Sequence, residues 1–533
     1  MRLLVDLRTV LIGAACAAVL GCSGGDVKLN PTNTNNSVDN SVTNNNGGGG
    51  STNPCASYTV GTTLRQGSFD GRNCLYNSAF VGASNPLTVN LTIPFFSGVH
   101  IFQDSLFVGT NVSTGVAPAE GTGPTLTVEA GATLAFSDSS DYVLVNRGSR
   151  IVANGSSVAP ITFTGFSDAV TRTTGPEDVQ LWGGIVINGN GITNNCTDAQ
   201  RTTNACHVES EGQPSHYGGN NNAESSGTLR YVVVKHAGFE VAPDDELNGI
   251  TFNAVGSGTT VSHVQVYSAF DDGLEFFGGA VNVDHYVGLY VRDDAIDYSD
   301  GYIGRVEFAL VINSLTDGNR CVEGDNIGDT RATAGEPLNT PPSTNPTVAN
   351  LTCILSLHDA GTHDTSQGIV MRRGPKAQYI NSIVFGGYAN DATANNRCME
   401  INDNVSRAFA RTGETTMRSS ILACRQATRG NLDNADPLSE WVRGVAASTN
   451  GANYTFNTGN VIITDPQNTN VSLLSGIYTA TTRRDDLGNA IATAPVAPAT
   501  HLGAVTRADD WTAGWTYGLR AGAQGQPLWF AAP

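Results

Sequence analysis

Two stretches of this chain are near-copies of each other, and both are rich in carboxylates. The first, Ser262–Gly279, reads SHVQVYSAFDDGLEFFGG, and the second, Asp284–Gly301, reads DHYVGLYVRDDAIDYSDG and begins 22 residues later (262 to 284). A period in the twenties, made of short strands and tight turns, is typical of one coil of a solenoid. If the two stretches are successive coils, matched residues lie about 4.8 Å apart, the spacing of neighbouring strands.

The alignment places acidic residues over acidic residues. It matches His263 with His285 and Leu274 with Ile296, and its carboxylates are Asp271, Asp272, Glu275, Asp293, Asp294 and Asp297, followed by Asp300. Two carboxylates at this spacing repel by roughly 1 kcal/mol in water and about 3–4 kcal/mol at an effective dielectric constant of 20. Because Ca²⁺ accepts about six to eight oxygen ligands, the first six of these residues are candidate calcium ligands. The competing interpretation is that the Asp-Asp pairs only form turns, in which they bind their own backbone.

The composition agrees with an all-β solenoid. The 533-residue chain contains 61 glycines, and only 14% of its residues are charged, compared with about 25% in an average domain. Short strands such as Leu126–Phe136, Trp182–Asn188 and Leu229–His236 alternate with turn signals, and the best helical segment, Glu440–Ala447, is short. We predict an all-β fold, a right-handed parallel β-helix solenoid with long loop insertions. The regular aromatic marks of a propeller and the long amphipathic strands of a membrane barrel are missing from the sequence.

The charge balance excludes one class of partner. The net charge is −19, and no cluster of Lys and Arg occurs along the chain. Binding to nucleic acid needs such a cluster to neutralise phosphates, so we expect no nucleic-acid partner.

The N-terminus is typical of an exported lipoprotein. Arg2 and Arg8 precede an apolar run that ends in Val-Leu-Gly-Cys at Cys22. This run is too short to span a bilayer, and its ending resembles the lipobox of bacterial lipoproteins. We therefore expect residues 1–21 to be a signal peptide and Cys22 to be the site of lipid attachment, with palmitate as an acyl label.

The segment after Cys22 has a different composition from the rest of the chain. Residues 22–54 are rich in Asn, Gly, Ser and Thr and are predicted to form a flexible tether. Residues 55–533 are predicted to form a single β-helix domain with a C-terminal cap. Ser23 follows the lipid-bearing cysteine, and under the sorting rule of enteric bacteria this residue directs a lipoprotein to the outer membrane.

Eight cysteines follow the predicted signal and Cys22, and an even number in an exported protein argues for disulfides. Eight cysteines allow about 105 connectivities, among which nearest-neighbour pairing is the most economical: Cys55 with Cys74, Cys196 with Cys206, Cys321 with Cys353, and Cys398 with Cys424. No Cys-x-x-Cys motif occurs, which argues against a zinc site.

Several stretches together resemble a family of bacterial lipoproteins and secreted proteins known in spirochaetes, Bacteroidetes and other Gram-negative groups, described as right-handed, pectin-lyase-like β-helices. The matching stretches are Leu126–Gly131, Arg147–Gly155, Pro160–Phe163, Trp182–Asn188, Gly227–His236, Asn248–Thr259, Asp271–Gly279 and Asp510–Gly518. The resemblance covers most of residues 120–320 and the C-terminus. It implies the fold and an outer-membrane, surface-exposed lipoprotein, but no established reaction.

A catalytic interpretation remains as the alternative. Polygalacturonases and pectate lyases share this fold, and the paired aspartates are able to supply the two carboxyl groups of a glycoside hydrolase. The Gly-His-Gly and Arg-Ile-Lys elements of polygalacturonases are missing, and Arg372–Arg373 is the tight basic pair nearest in sequence to the paired aspartates that a lyase could use. Since fold analogy alone does not establish function, the sequence favours a binding or structural role over a polysaccharide lyase or hydrolase acting on an acidic polysaccharide.

Two further groups of residues are interpreted as structural. His263 and His285 are expected to be hydrogen-bonded strand residues rather than metal ligands. Trp511, Trp515 and Trp529 are expected to cover the apolar end of the last coil, because solenoids need caps. The sequence therefore predicts a lipid-anchored, calcium-stabilised β-helix at the outer membrane, with a glycan or a protein as its ligand.

Overall fold

The computed structural model describes one compact unit that begins at Asn53. The described residues are 53–212, 214–242, 245–315, 317–356, 366–386, 397–433, 436–464, 466, 473–480, 501–520 and 528–530. The predicted signal peptide, Cys22 and the tether up to residue 52 lie outside them.

The described chain winds as a parallel β-helix with three faces, which confirms the predicted fold class. The first face is a sheet of ten strands, in which each neighbour comes from the next coil. Its strands are Leu106–Val108, Tyr142–Val145, Gly184–Asn188, Ile250–Asn253, Leu274–Phe277, Ile296–Ser299, Arg320–Gly324, Gln367–Met371, Arg397–Ile401 and Gln426–Arg429.

The second and third faces form one continuous sheet because five long strands bend through the corner between them. These strands are Gly227–Lys235, Thr260–Tyr267, Asn282–Leu289, Arg305–Ile312 and Thr347–Ile354. The residue at each bend has a positive φ, which lies between 48° and 62° at Tyr231, His263, His285, Phe308 and Asn350. Such a left-handed residue turns the chain sharply without ending the hydrogen-bonded ladder on either side.

In the other coils the same two faces are built from separate short strands. Those of the second face are Leu91–Ile93, Thr125–Val128, Arg150–Asn154, Gln378–Ile380 and Thr416–Arg418. Those of the third face are Cys74–Tyr76, His100–Phe102, Thr133–Phe136, Ile161–Gly165, Ile383–Phe385, Ile421–Ala423 and Val461–Ile463. Ser68–Phe69 joins this sheet by pairing antiparallel with Cys74–Tyr76.

The twin acidic stretches are successive coils in the predicted register. Leu274 pairs with Ile296, and Glu275 pairs with Asp297. Val264 lies opposite Tyr286, and Val266 opposite Gly288, so a large side chain stacks over a small one. Within the second of the two coils, the buried Tyr286 hydroxyl donates to the carbonyl of Ala295 at 2.9 Å.

The interior of the solenoid is filled by apolar side chains stacked coil on coil. Two aromatic columns are prominent. In one, the rings of Phe252 and Phe276 are stacked 5.2 Å apart, and Tyr302 stacks on Phe276 at 4.4 Å. In the other, Phe136 lies 4.7 Å from Trp182. Each such pair is worth about 0.5–1.5 kcal/mol beyond the burial of its surface.

All four predicted disulfides are present: Cys55–Cys74, Cys196–Cys206, Cys321–Cys353 and Cys398–Cys424. The last two lie wholly inside the solenoid, where their cysteines have no exposed surface. Cys321 and Cys398 lie in strands of the first face, whereas Cys353 lies in the third face and Cys424 directly follows a third-face strand. The two disulfides therefore link the first and third faces covalently.

The remaining elements are small and lie in the insertions. The helices are Asp198–Thr202, Asp329–Thr333, Asn404–Thr412 and Leu438–Arg443, together with a π-helical turn at Ser167–Thr171. The hairpins pair Ser57–Val60 with Thr63–Gln66, Val208–Glu209 with His216–Tyr217, Phe239–Ala242 with Asp245–Leu247, and Leu474–Ser475 with Tyr478–Thr479. No helix among the described residues is both long and apolar enough to cross a membrane.

The expected position of the C-terminal tryptophans is wrong. Trp511 packs 4.8 Å from the ring of His285, Trp515 lies 5.6 Å from the ring of Tyr231, and the Trp529 indole donates to the Asn313 carbonyl at 2.9 Å. These contacts place the tryptophans along the side of the middle coils and not over the last coil. The physical reason is that the outer surface of the third face is also apolar, at residues such as Leu289 and Ile312. The C-terminal segment packs on this surface and shields it from water.

Candidate functional site

The acidic residues of the twin coils lie where each turn from the third face enters the first face. Here four consecutive turns are linked by three side chains, each of which accepts a backbone hydrogen bond from the next turn. The Asp272 amide donates to Asn248 Oδ1 at 3.0 Å, the Asp294 amide to Asp272 Oδ1 at 2.9 Å, and the Arg320 amide to Asp294 Oδ1 at 2.9 Å. One oxygen of Asp272 and one of Asp294 therefore bind the backbone of the following coil, and not their own backbone as the turn-forming alternative expected.

The other carboxylate oxygens converge on a cleft of about 650 Å³ on the first face. Three groups of acidic residues each present oxygens within 4.8 Å of one another: Asp271 with Asp272 and Asp293, Asp272 with Glu275 and Asp297, and Asp294 with Asp297 and Glu323. All six sequence-predicted ligands belong to these groups. Because the groups share Asp272 and Asp297, they form one continuous cluster.

Each of the twin coils lacks the internal ion pair that the later acidic coils have, although Arg320 of the following coil lies 3.2 Å from Asp294. In later coils Arg320 lies 2.8 Å from Glu323, and Arg397 lies 2.6 Å from Glu400, each arginine three residues before its partner. The corresponding positions before Glu275 and Asp297 hold Asp272 and Asp294. The twin coils thus place a second carboxylate where neighbouring coils place a cation.

Burial and mutual repulsion raise the pKa values of these carboxyl groups. Burial, reinforced by neighbouring carboxylates, holds the pKa values of Asp271, Asp272 and Glu275 well above their ordinary range. Burial raises the pKa of Asp294 to about 7 even though Arg320 opposes the shift, and it raises the pKa of Asp297 to about 7. Asp297 also has a buried oxygen, Oδ1, with no hydrogen-bond partner among the described residues. The cleft therefore favours protons or cations over free carboxylates.

Sequence reasoning missed the residues that reach the cleft from outside the repeat. Glu211 comes from an insertion and hydrogen-bonds to Glu275, and Glu240 and Glu246 come from the hairpin after the strand Gly227–Lys235. Nothing in their local sequence points to the site. Arg320 and Glu323, in contrast, were detectable, since one more coil aligned with the repeat would have placed them over Asp294 and Asp297.

Two of the predicted acidic residues have local polar partners. Asp293 accepts a hydrogen bond from Asn319 Nδ2 at 2.6 Å. Asp300, grouped with the cluster in the sequence, lies at the other end of its strand, where it pairs with Arg331 at 2.9 Å and accepts a hydrogen bond from Asn195. Asp300 is therefore not part of the cleft.

The histidines are also remote from the cleft. His263 and His285 stack at 4.4 Å on the bend between the second and third faces. Ser262 Oγ lies 2.7 Å from His263 Nδ1, and Asp284 lies 2.9 Å from His285 Nδ1. These local contacts agree with the predicted structural role.

The basic pair is closer to the acidic residues than the sequence suggested. Arg372 lines the cleft, contacts Glu323 and lies 3.3 Å from Asp325. Burial acts to lower the pKa of Arg372, but Asp325 and Glu323 more than offset it and hold the pKa above its ordinary value. An arginine held protonated in this way is a poor candidate for the base of a lyase reaction.

The fold and the site define a class: a three-faced parallel β-helix with a buried carboxylate cleft on its first face. The family described as pectate-lyase-like beta helix domain matches residues 116–409, more than half of the chain. The protein belongs to this family, which confirms the β-helix part of the resemblance. Comparisons with curated proteins and with solved structures gave no match.

Proposed function

We propose that this protein binds Ca²⁺ in the cleft and that its role is one of binding or structure at the cell surface rather than catalysis. The ligands are Asp271, Asp272, Glu275, Asp293, Asp294 and Asp297. The observation that carries the proposal is the exchange of arginine for aspartate in the twin coils, at positions where the other acidic coils neutralise themselves. A divalent cation supplies the missing positive charge.

The chemistry of the cleft favours calcium over other common metals. Every candidate ligand atom is a carboxylate oxygen, and hard oxygen donors suit Ca²⁺ and Mg²⁺ rather than Zn²⁺ or copper. The cleft of about 650 Å³ is irregular, and its three groups of oxygens share members. Ca²⁺ tolerates irregular coordination, whereas Mg²⁺ demands near-octahedral geometry and dehydrates reluctantly.

Thermal unfolding of the purified protein tests this proposal. Ca²⁺ at about 100 times its Kd is expected to stabilise the protein by about 2.7 kcal/mol relative to a chelator-treated sample. Asp272→Asn combined with Asp297→Asn should abolish the response, because it removes the two residues that the oxygen groups share. Glu400→Gln is the matched control, since Glu400 lies in the same face but is paired with Arg397. A response to Ca²⁺ that survives in the double variant would refute the site.

The membrane part of the proposal concerns Cys22. The lipobox-like Val-Leu-Gly-Cys supports lipid attachment there and a location at the outer membrane, with the β-helix displayed on a tether. Palmitate labelling of cells that express the protein should be lost in Cys22→Ala, and the variant should leave the membrane fraction. Cys16→Ala is the control, and equal labelling of both variants and the parent would contradict the assignment.

One observation supports a second function, a hydrolase or lyase acting on an acidic polysaccharide. The pKa values of Asp294 and Asp297, both raised to about 7, would let one of the two hold a proton at neutral pH, as a general acid requires. Against it, Arg320 and Arg372 are already paired with carboxylates and offer little to an anionic chain. Release of reducing ends or unsaturated products from polygalacturonate, lost in Asp294→Asn, would establish this function.

A further inference from the structure

A second cavity lies beside the cleft and differs from it in chemistry. Its volume is about 610 Å³, within the range of about 300–1,000 Å³ of small-molecule sites. Its walls come from two insertions that form the hairpins Val208–Glu209/His216–Tyr217 and Phe239–Ala242/Asp245–Leu247, and Phe277 of the first face lies beneath them. The disulfide Cys196–Cys206 closes part of the first insertion. Insertions that gather on one face of a solenoid often build its binding surface.

One side of this cavity is apolar. Val208, Val241, Tyr217 and Phe277 line it, and the Tyr217 and Phe277 rings are 6.5 Å apart. Val241 is 46% exposed, although it is a large apolar residue. Exposed apolar surface costs about 25 cal/mol per Å², which a ligand covering the wall would recover.

The other side of the cavity is acidic. Glu209, Glu211, Asp245 and Asp300 line it, and no Lys, Arg or His is among its described lining residues. Asp300 is already paired with Arg331 at 2.9 Å, and Asp245 accepts a hydrogen bond from the Gly212 amide at 2.6 Å. Three carboxyl groups therefore face the cavity without a cationic side chain.

We infer that this cavity binds an alkylammonium group, that is, a primary amine on an aliphatic chain. The methylene chain packs on Val208, Val241 and Phe277, while the ammonium lies among Glu209, Glu211 and Asp245. Two other kinds of ligand fit this cavity less well than an amine. A metal ion has no apolar surface to pack against the apolar side, and a neutral sugar has no positive charge to balance the carboxylates.

The amine has two sources with the same chemistry, a free diamine or the lysine side chain of a protein partner. Both are measured by calorimetry on the full chain in excess Ca²⁺, which keeps the cleft occupied. The probes are 1,5-diaminopentane, an end-blocked lysine amide and the end-blocked norleucine amide, whose side chain is that of lysine without the ammonium group. Diaminopentane alone binding identifies a free amine, and lysine amide binding identifies a protein partner. Either result supports the inference, and binding of norleucine equal to that of lysine overturns it.

Variants separate this site from general attraction to an acidic protein. Glu209→Gln combined with Asp245→Asn, which keeps the acceptor for Gly212, should raise the amine Kd at least tenfold, and Val241→Ser should raise it several-fold. Glu240→Gln is the matched control: it removes the same charge from the residue next to Val241, but from the cleft side, and should change the Kd less than twofold. An equal effect of Glu240→Gln would overturn the inference.

The amine site and the calcium site fail independently. Asp272→Asn combined with Asp297→Asn should remove the calcium response and leave amine binding within twofold of the parent. If amine binding disappears together with the calcium response, the amine was bound in the cleft, and the second site does not exist.

Discussion

At the scale of single residues, one position in each coil decides the charge of the first face. It is Asp272 and Asp294 in the twin coils, and Arg320 and Arg397 in two later coils. An arginine there contacts the acidic residue three positions further on, and an aspartate repels it. The cleft exists because two successive coils have the aspartate.

Replacing Asp272 by arginine should give its coil an internal ion pair, so that the coil no longer needs a bound cation to balance its charge. Asp272→Arg places a guanidinium before Glu275, as Arg320 stands before Glu323 at 2.8 Å. We expect the response to Ca²⁺ to shrink, while the cation-free protein gains less than the about 1.5–3 kcal/mol of a hydrogen bond to a charged group, because the Asp294 amide loses its acceptor on Asp272. Chemical denaturation with and without chelator measures both effects. Asp509→Arg, at an exposed position of the C-terminal segment, should change neither quantity, and a calcium response unchanged in Asp272→Arg would contradict this account.

The pH dependence of stability follows from the same carboxyl groups. Their pKa values are raised in the folded protein, for example to about 7 for Asp294 and Asp297, whereas unfolded Asp and Glu titrate near about 4. Between these values the folded state binds more protons than the unfolded state, so the free energy of unfolding falls as pH rises. In chelator we expect at least about 2 kcal/mol less stability at pH 7.5 than at pH 5.

Two comparisons check the origin of that loss. Saturating Ca²⁺ should restore stability at pH 7.5, since the cation replaces the protons. Asp294→Asn combined with Asp297→Asn should make the profile in chelator less steep, because two of the carboxyl groups that give it its slope are replaced by amides that do not titrate. A profile that rises between pH 5 and pH 7.5 in the cation-free parent protein would show that the carboxyl groups of the cleft do not dominate.

At the scale of elements, the register of the twin coils depends on one large residue fitting over a small one. Tyr286 lies opposite Val264, and Gly288 lies opposite Val266. A Cβ on Gly288 would lie 2.8 Å from the Tyr286 hydroxyl and 3.2 Å from the Ala295 Cβ. The glycine therefore makes room for the tyrosine that anchors the next turn.

Gly288→Ala should destabilise the protein by about 1–2 kcal/mol, because overpacking a filled interior forces side chains to move. Adding Tyr286→Phe, which removes the crowded hydroxyl, should make the double variant more stable than the sum of the single effects predicts. Denaturant unfolding of the four proteins measures the coupling. Gly328→Ala, where nothing lies within 4 Å of the added Cβ, is the control. Strict additivity would show that the two residues do not compete for space.

At the scale of the whole molecule, the solenoid is held together by covalent and apolar contacts between its walls. Cys321–Cys353 closes a segment of 32 residues, and Cys196–Cys206 one of 10 residues. The segment 501–520 adds a non-covalent brace along the third face, where the Gln265 amide donates to the Tyr517 carbonyl at 2.8 Å across 252 residues of sequence.

Removing the interior disulfide by Cys321→Ser and Cys353→Ser should lower the free energy of unfolding by about 3–4 kcal/mol, because a loop of this length loses much entropy when it is closed. Removing Cys196–Cys206 in the same way should cost roughly 1 kcal/mol less, since its loop is shorter. Denaturant unfolding under non-reducing conditions compares the two variants. An equal or smaller loss for the interior pair would show that loop closure does not set the contribution.

The sequence by itself determined the features that repeat or are local. The coil length and the stacking of Glu275 on Asp297 follow from spacing, because each coil packs only on its neighbours and a register of hydrogen bonds carries a pattern from one coil to the next. The four disulfides agree with nearest-neighbour pairing, which was one of about 105 connectivities that the sequence allowed. The alignment of the two coils also predicted that all six candidate ligands lie close together, as they do in the cleft.

Only the tertiary structure decided what the insertions and the C-terminal segment do. Glu211 and Glu246 reach the cleft from hairpins outside the repeat, Asp300 turns away from it to meet Arg331, and Trp511 covers the side of the solenoid instead of its end. Each of these placements depends on contacts between residues far apart in sequence, and an aperiodic segment carries no register from which such contacts follow. The stacked carboxylates of the cleft were therefore predictable from the sequence. The residues that reach the cleft from the insertions, and the neighbouring cavity, were not.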